Sequence, residues 1–315
     1  MGRDEITLRG PLWVQADITT SCSLSCRYCY ASHWKEERHI DTERFLELLA
    51  EMDEMGVFLL LLAGGEPLRH PDFFRILEAA IQTRMSVSVL TNGTESPELA
   101  VRLAECHKNI HPFVVQVSLD HPSEAVNDRT RGKTASVRQF IHTLAENGLT
   151  PQIATVITTV NKDRLGDLFH AFHPTIRAFH FMNLMPPERP TRELDSLMPT
   201  DEQLRDSYAL LAEQMRNFPD IRVSHPQMMC SPTATSLFRE STAEGHGCTA
   251  CGTHVGIAPN LDMVACSLVP SSVVGSLRES GMKELWNSAQ KSHFETFPEP
   301  ICQARGDCPS SPPQV

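Results

Sequence analysis

Residues 41–67 read DTERFLELLAEMDEMGVFLLLLAGGEP and predict a helix, a strand and a turn in succession. Apolar residues recur at helical spacing in the first part, where Asp41 can cap the helix and Gly56 can end it. The uncharged run VFLLLLA that follows is typical of a strand buried on both faces, as parallel sheets require. The segment therefore predicts one unit of a parallel α/β sheet, with GGEP at the end of its strand.

The same alternation of helix and strand extends through most of the first 184 residues. LWVQADI precedes this unit, and SVSVLT, FVVQVSLD, PQIATVIT and AFHFMNLM follow it, which makes six predicted strands. Such an alternation indicates a right-handed parallel array, either an open doubly wound sheet or a barrel. In both architectures the functional residues lie at the carboxyl ends of the strands.

Candidate catalytic and ligand-binding residues follow these predicted strand ends. In chain order they are the cysteines of SCSLSCRYC after the first strand, GGEP after the second, Asn92 after the third, Asp120 after the fourth and Asn161 after the fifth. Because the ends of parallel strands meet at one edge of a sheet, we expect these residues to form one site.

Composition narrows the class of protein. The chain has 315 residues, 41% of them hydrophobic, which is enough for one large domain or for a large and a small one. A net charge of −11 without any basic block argues against a nucleic acid or an anionic membrane surface as the main partner. The N-terminal stretch lacks an apolar signal segment and no run is long enough to span a membrane, so we expect a cytoplasmic protein.

Cysteines are the most informative residue type. In a reducing compartment, ten of them are expected to be metal ligands or catalytic thiols rather than disulfides. Three lie near the N-terminus and five lie between Cys248 and Cys308, whereas Cys106 and Cys230 stand apart. This distribution predicts two metal-binding regions.

The first cluster, Cys22, Cys26 and Cys29, leaves two kinds of site open. A zinc ion held by protein alone needs four ligands, and His33 is the nearby candidate for the fourth. A [4Fe–4S] cluster takes one thiolate on each iron, so three cysteines leave one iron open to a substrate or cosubstrate.

The cysteine stretch DITTSCSLSCRYCY, with Tyr28 directly before the third cysteine, resembles the cluster-binding loop of the radical S-adenosylmethionine (SAM) superfamily. AGGEP resembles the GGE motif of that family, and LTNG, VSLD and VITTVN resemble its strand ends, so the resemblance covers residues 12 to 184. It implies a partial (β/α)6 TIM-like barrel and a [4Fe–4S] cluster that binds SAM and cleaves it to a 5′-deoxyadenosyl radical. It also implies an electron donor such as flavodoxin or ferredoxin.

The resemblance further implies which residues contact SAM. The expected contacts are Glu66 and the carbonyls of Gly64 and Gly65 for the ammonium, Ser118 and Asp120 for the ribose, Tyr28 and Asn92 for the adenine side, and Arg131 for the carboxylate. The contact of Glu66 with the ammonium would be a charge-assisted hydrogen bond, which is stronger than a neutral one. For Ser118, Asp120 and Arg131, strand-end capping or a surface salt bridge would account for the residue equally well.

The second cysteine group, CTACGTHVGIAPNLDMVAC followed by GSLRESGMKELWNS, resembles the SPASM or shorter twitch extension of radical SAM enzymes. This resemblance implies one auxiliary [4Fe–4S] cluster, and the available thiolates are Cys248, Cys251, Cys266, Cys302 and Cys308. Five thiolates leave open whether Cys302 or Cys308 is a ligand, and zinc is an alternative for such a site. The extension normally has a hairpin glycine where this chain has Leu261.

Cys230 lies alone before this group. It can be a small buried hydrophobic residue, or a thiol that donates hydrogen to a substrate radical as in some epimerases of the family. The expected domains are a radical SAM core over 1–186, a bridging helix and strand over 187–230 and an auxiliary-cluster region over 231–315.

The leading functional hypothesis is radical modification of a ribosomally synthesised peptide by crosslinking, oxidation or epimerisation. The alternative is epimerisation or dehydrogenation of a small molecule, such as an aminoglycoside or a sugar in antibiotic biosynthesis. The short stretch before PLWVQADIT leaves little room for a peptide-docking domain, which favours the alternative. A scaffold that has lost catalysis is a third hypothesis.

Overall fold

The computed structural model describes residues 8–108, 113–186, 188, 192–224 and 250–296. The strands are β1 (Trp13–Thr19), β2 (Leu59–Gly64), β3 (Ser86–Thr91), β4 (Val114–Ser118), β5 (Gln152–Ile157), β6 (Ala178–Asn183), β7 (Arg222–Ser224), β8 (His254–Ile257), β9 (Asp262–Cys266) and β10 (Val269–Ser276). The helices are α1 (Thr42–Met55), α2 (Phe73–Ala80), α3 (Pro97–His107), α4 (Glu124–Asn127), α5 (Thr134–Glu146), α6 (Asp167–Phe172), α7 (Arg192–Asp195), α8 (Asp201–Met215) and α9 (Met282–Thr296).

Within these ranges the strands form one ten-stranded sheet in the order β10-β9-β8-β1-β2-β3-β4-β5-β6-β7. Each of β1 to β6 pairs in parallel with the next, which confirms the prediction of an α/β fold with a partial barrel. The strand predicted in the bridge over 187–230 is β7, which also pairs in parallel with β6.

Three strands of the C-terminal region extend this sheet. β8 pairs in parallel with β1, and β9 and β10 continue the same sheet in antiparallel fashion. Without β8, the backbone N–H and C=O groups along one side of β1 would lack these strand partners. The cysteine-rich region therefore extends the sheet of the core.

The two faces of the parallel strands differ in character. On β1, the side chains of Val14, Ala16 and Ile18 are fully buried in the core that packs against the helices. The alternate residues Gln15 and Asp17 lie on the opposite face, because successive side chains of a strand point to opposite sides. We call this second face the inner face. The strand registers place Leu61, Ser88, Gln116, Ala154 and His180 of the strands β2 to β6 on the same face.

The ends of α1 follow from local sequence, as predicted. The side chain of Asp41 accepts a hydrogen bond from the Arg44 backbone N–H at 2.8 Å, and Gly56 adopts the left-handed conformation with φ of +80°. Among the described residues, no helix combines the length and the apolar character needed to cross a membrane.

Leu261 occupies the position where the resemblance led us to expect glycine. Its φ is +66°, a left-handed conformation that costs an L-residue about 1–2 kcal/mol. The residue closes the turn between β8 and β9, where its backbone N–H donates to the Ala258 carbonyl at 2.8 Å. Because its side chain is only 2% exposed and belongs to the core, burial offsets the backbone strain.

A Leu261→Gly variant is therefore expected to lose about 2 kcal/mol of unfolding free energy. Truncating a buried Leu costs about 2–5 kcal/mol, which exceeds the relief of the left-handed conformation. Lys133 is the matched control, since it has a φ of +54° but an exposed side chain, so Lys133→Gly should be neutral or stabilising. Chemical denaturation measures both variants, and a stabilised Leu261→Gly would contradict the expectation.

Candidate functional site

The first cysteine cluster lies in the loop between β1 and α1. Cys22 is exposed, whereas Cys26 and Cys29 are half-buried. The loop is fastened at its centre, because the Arg27 backbone N–H donates to the Thr130 carbonyl at 3.0 Å. Burial raises the pKa of Cys26 to about 11, although the positive charge of Arg131 opposes this shift. The thiolate form therefore needs a cation to stabilise it, as a metal centre does.

The donor set in this loop fits an iron–sulfur cluster with one open iron. The Asn92 side-chain amide lies 3.5 Å from the Cys22 sulfur, and hydrogen bonds to ligating sulfurs are one of the ways proteins tune such clusters. His33 Nδ1 lies 3.0 Å from the Tyr30 carbonyl oxygen, so a ligand role for this residue would have to use Nε2. Among the described residues, no three His, Cys, Asp or Glu side chains are grouped around a single-ion site.

The glycines of GGEP allow β2 to end against the start of the cysteine loop. A Cβ atom on Gly64 would lie 2.4 Å from the Thr19 carbonyl oxygen, and one on Gly65 would lie 2.4 Å from that of Ser21. The Gly65 N–H donates to the Thr19 carbonyl at 2.7 Å. These glycines thus accommodate the backbone of this chain, and their predicted carbonyl contacts with SAM stay a prediction.

Glu66 joins the ends of β2 and β3. Its carboxylate is fully buried and accepts hydrogen bonds from the Leu68 N–H at 3.2 Å, the Thr91 hydroxyl at 2.8 Å and the Asn92 N–H at 2.6 Å. Burial raises the pKa of Glu66 to about 7, against the effect of these hydrogen bonds. The side chain holds the Asn92 backbone in place, and its expected contact with the SAM ammonium stays a prediction.

Asp120 is the centre of a second network, at the ends of β4 and β5. It is 2% exposed and accepts from the Tyr28 hydroxyl, from the Thr130 hydroxyl at 2.9 Å, from Arg131 Nε at 3.0 Å and from the Val156 N–H at 3.1 Å. Burial alone would lower the pKa of Arg131, but the charge of Asp120 raises it above its usual value. This ion pair is buried, not the surface salt bridge that the sequence left open.

Three of the residues predicted to contact SAM lie together in this second network. Tyr28, Asp120 and Arg131 share one network, and the Arg131 guanidinium lies 5.2 Å from the centre of the Tyr28 ring. Ser118 ends β4, and Asn161 donates to the Asp120 carbonyl at 3.0 Å. The roles of these side chains toward SAM stay predictions.

The second cysteine group is placed in part. Cys251 is buried, and its backbone N–H donates to the His254 carbonyl at 2.9 Å just before β8. Cys266 ends β9, where its N–H donates to the Ser272 hydroxyl at 3.2 Å. The other predicted cysteines, Cys230, Cys248, Cys302 and Cys308, lie outside the described residues.

A cavity of about 250 Å³ lies between the end of the cysteine loop and the antiparallel strands β9 and β10. Its lining includes His33 and Trp34 from the loop, Asn260 from the turn between β8 and β9, and Asp262 and Ser271 from the strands β9 and β10. Sequence reasoning did not predict it, because the pairing of β8 with β1 creates this proximity.

Sequence reasoning also missed Asp17, on the inner face of β1. Its Oδ1 accepts hydrogen bonds from Gln15 Nε2 at 3.0 Å and from the Tyr30 hydroxyl at 2.9 Å. Burial raises the pKa of Asp17 from 3.8 to about 6, against these hydrogen bonds. A signal was present in the sequence, since Asp17 is the only charged residue in strands β1 to β6.

This raised pKa makes a prediction about stability. Between pH 4 and 6 the folded chain holds a proton on Asp17 that the unfolded chain has lost, so ionisation of Asp17 lowers stability as pH rises. At about 1.4 kcal/mol per pKa unit, Asp17→Asn should gain up to about 3 kcal/mol relative to wild type by pH 7.5. Denaturation of the metal-free chain at pH 4.5 and pH 7.5 measures this, and a difference independent of pH would contradict it.

Comparisons of sequence identify two family regions. A family model described as the radical SAM superfamily matches residues 17–172, and a SPASM model described as an iron–sulfur cluster-binding domain matches residues 248–309. These regions contain both cysteine groups and the Glu66 and Asp120 networks.

Three curated relatives illustrate the range of similar proteins. The mycofactocin maturase MftC of Mycolicibacterium smegmatis is 29% identical over 96% of this chain and 76% of its own length. The AdoMet-dependent heme synthase of Methanosarcina barkeri is 24% identical over 95% of this chain and 88% of its own length. The PqqA peptide cyclase of Ruegeria pomeroyi is 27% identical over 52% of this chain and 44% of its own length. The chain spans about half, 53%, of three further mycofactocin maturases.

The fold is also that of a solved structure. Streptococcus suis SuiB, in a crystal structure with precursor peptide SuiA, matches 92% of this chain and 67% of that chain with a TM-score of 0.76 and 16% identity. With both family regions matched and the cysteine loop, GGEP and the strand-end networks joined at one sheet edge, the chain belongs to the radical SAM superfamily and carries a C-terminal SPASM region.

Proposed function

We propose that this protein is a radical SAM enzyme that modifies a ribosomally synthesised peptide through crosslinking, oxidation or epimerisation. The observation that carries the proposal is the contact of the three-cysteine loop with the Glu66 and Asp120 networks at the carboxyl edge of a parallel sheet. Cys22 of the loop contacts Asn92, and Tyr28 contacts Asp120. A [4Fe–4S] cluster held by this loop together with SAM would supply a 5′-deoxyadenosyl radical for abstraction of hydrogen from the substrate.

The residues of the chain have distinct tasks in this proposal. Cys22, Cys26 and Cys29 would hold the main cluster, and three thiolates for four irons would leave one iron for SAM. Asp120 neutralises Arg131 and fastens the loop around residue 130 to Tyr28, next to the third cysteine. Glu66 fixes the backbone of Asn92, and the side-chain amide of Asn92 donates a hydrogen bond to the Cys22 sulfur.

The proposal of a peptide substrate is supported by the relatives. Two of them are described as a maturase and a peptide cyclase, and MftC aligns with nearly the whole of this chain. A small-molecule substrate is the second candidate, because the heme synthase aligns over 88% of its own length. The small-molecule hypothesis covers epimerisation or dehydrogenation of a sugar or aminoglycoside.

Further parts of the proposal concern the auxiliary region and the partners. Cys251 and Cys266 bind the auxiliary cluster together with Cys248 and one of Cys302 and Cys308, within a region over 231–315 that follows the core (1–186) and the bridge (187–230). Cys230 donates hydrogen if the reaction is an epimerisation. A flavodoxin or ferredoxin in the cytoplasm supplies the electron.

The test uses the full chain reconstituted with iron and sulfide under anaerobic conditions. Reductant and SAM should yield 5′-deoxyadenosine, and a scaffold without catalysis should yield none. Peptides encoded beside this gene are then compared with sugars and aminoglycosides for stimulation of this product and for a change in their own mass. A peptide of changed mass supports the proposal, whereas change of the small molecules alone supports the second candidate.

A further inference from the structure

Asp17 is a buried carboxylate that the proposed chemistry leaves without a task. It lies on the inner face of β1, five residues before Cys22, and it is 6% exposed. Across the sheet it is registered with Ala63 of β2, and no other charged residue occurs in strands β1 to β6. The inner face of these strands therefore has a single charged side chain, and that charge is negative.

The hydrogen bonds of Asp17 are concentrated on one oxygen. Gln15 Nε2 donates to Oδ1 and also lies 3.0 Å from the Tyr30 hydroxyl oxygen, and that hydroxyl donates to the same Oδ1. Within the described residues, no hydrogen bond reaches Oδ2. The side chain is thus held from one side by two neutral donors, and its second oxygen remains able to accept.

A comparison with the other buried strand-end carboxylates shows how unusual this is. Asp120 accepts four hydrogen bonds, one of them from a guanidinium. Glu66 accepts three, and they involve both of its oxygens. An ionised carboxylate offers about four lone-pair positions, and Asp17 uses only those on Oδ1.

A buried carboxylate with so few donors is costly unless something pairs with it. Ionisation at neutral pH leaves a negative charge in a low-dielectric environment, where its attraction for a cation is stronger than in water. The raised pKa of Asp17 is consistent with this cost, because burial is its largest cause. A cation that reaches Oδ2 would offset the cost of burying this negative charge.

We propose that Asp17 binds a cationic group of the substrate, an ammonium or a guanidinium, on the inner face of the sheet. Gln15 and Tyr30 aim the carboxylate by fixing Oδ1, and Oδ2 accepts the hydrogen bond from the substrate. The inference rests on the proposed function, and it adds that the peptide presents a basic side chain or a free amino terminus near the modified position.

Two competing roles for Asp17 lead to different results. SAM itself carries an ammonium and a sulfonium and could be the cation that pairs with Asp17. Alternatively, the carboxylate could serve only to hold Tyr30 and so the end of the cysteine loop. Asp17→Asn separates these cases, because an amide oxygen can still accept from Gln15 and Tyr30 while the charge and the second acceptor are lost.

The experiment measures binding of short peptides to the reconstituted holoenzyme with SAM, by anaerobic equilibrium dialysis. The probes are acetyl-Gly-Lys-Gly-amide, its uncharged norleucine analogue and the same norleucine peptide with a free amino terminus. We expect wild type to bind one of the two cationic peptides about tenfold more tightly than the uncharged one. Asp17→Asn should reduce this preference to about twofold or less, whereas Asp167→Asn, which removes an exposed carboxylate away from this face, should retain it.

The remaining outcomes overturn the inference. Equal affinity of wild type for all three peptides would do so without any variant, and so would a preference that Asp17→Asn retains. Weaker SAM binding by Asp17→Asn would assign the carboxylate to SAM instead. Failure of the proposed function is recognised separately, since it would appear as absence of 5′-deoxyadenosine or of peptide modification in the wild type.

Discussion

Replacement of Asp120 by Ala is expected to destabilise the protein by about 3–5 kcal/mol. The substitution removes the acceptor for the Tyr28 and Thr130 hydroxyls and for the Val156 N–H, and it leaves the Arg131 guanidinium buried without its counterion. Loss of one partner of a buried ion pair is costly because the other charge stays desolvated. Chemical denaturation monitored by circular dichroism measures the change.

Two further variants show whether the cost arises from the buried pair. Asp167 contacts His121 at 3.0 Å, but its side chain is 50% exposed, so Asp167→Ala should cost less than about 1 kcal/mol. In the double variant Asp120→Ala/Arg131→Met the unpaired charge is gone, and the loss should be clearly smaller than in Asp120→Ala. If Asp120→Ala costs no more than Asp167→Ala, the network does not stabilise the fold in this way.

Where local physical chemistry decides the structure, the sequence was sufficient to predict it. Asp41 and Gly56 bound α1 because a cap and a left-handed glycine act within one helical turn. The uncharged run before GGEP could only be a strand covered on both faces, and its end had to meet the other strand ends. Cys22, Glu66 and Asp120 were predicted on that basis.

Contacts between distant segments could not be predicted from these patterns. Nothing local to HVGI determines that β8 pairs with β1, since many strands could have covered that edge. The sequence likewise placed Asp120 and Arg131 near one site, but only the fold shows that they pair with each other and with Tyr28. Leu261 shows the reverse case, in which burial overrides the backbone preference for glycine.

Asp17 was missed for a different reason. One acidic residue in a strand usually occupies an exposed position on an edge or on a solvated face. Here the strand is internal, between β8 and β2, and the carboxylate is buried on the inner face. Its significance depends on the number of donors around it, which only the three-dimensional contacts reveal.

The largest functional effect is expected from Cys26→Ala. Loss of one of three thiolates should prevent assembly of the main cluster, since each thiolate binds a different iron. We expect 5′-deoxyadenosine formation to fall by at least about 1,000-fold, because SAM is not reduced without that cluster. Iron content should fall from about eight to about four atoms per chain, since the auxiliary cluster has its own ligands.

Cys106→Ala is the matched control for this variant. Cys106 is a buried thiol on α3, within the apolar core and away from the strand ends. Its replacement should leave the iron content and product formation within about twofold of wild type, at a cost of about 1 kcal/mol for the small cavity. Iron analysis with electron paramagnetic resonance of the reduced protein distinguishes the two clusters. Full iron content and undiminished SAM cleavage in Cys26→Ala would mean that a ligand outside this loop completes the cluster, and the assignment of its three cysteines would then be wrong.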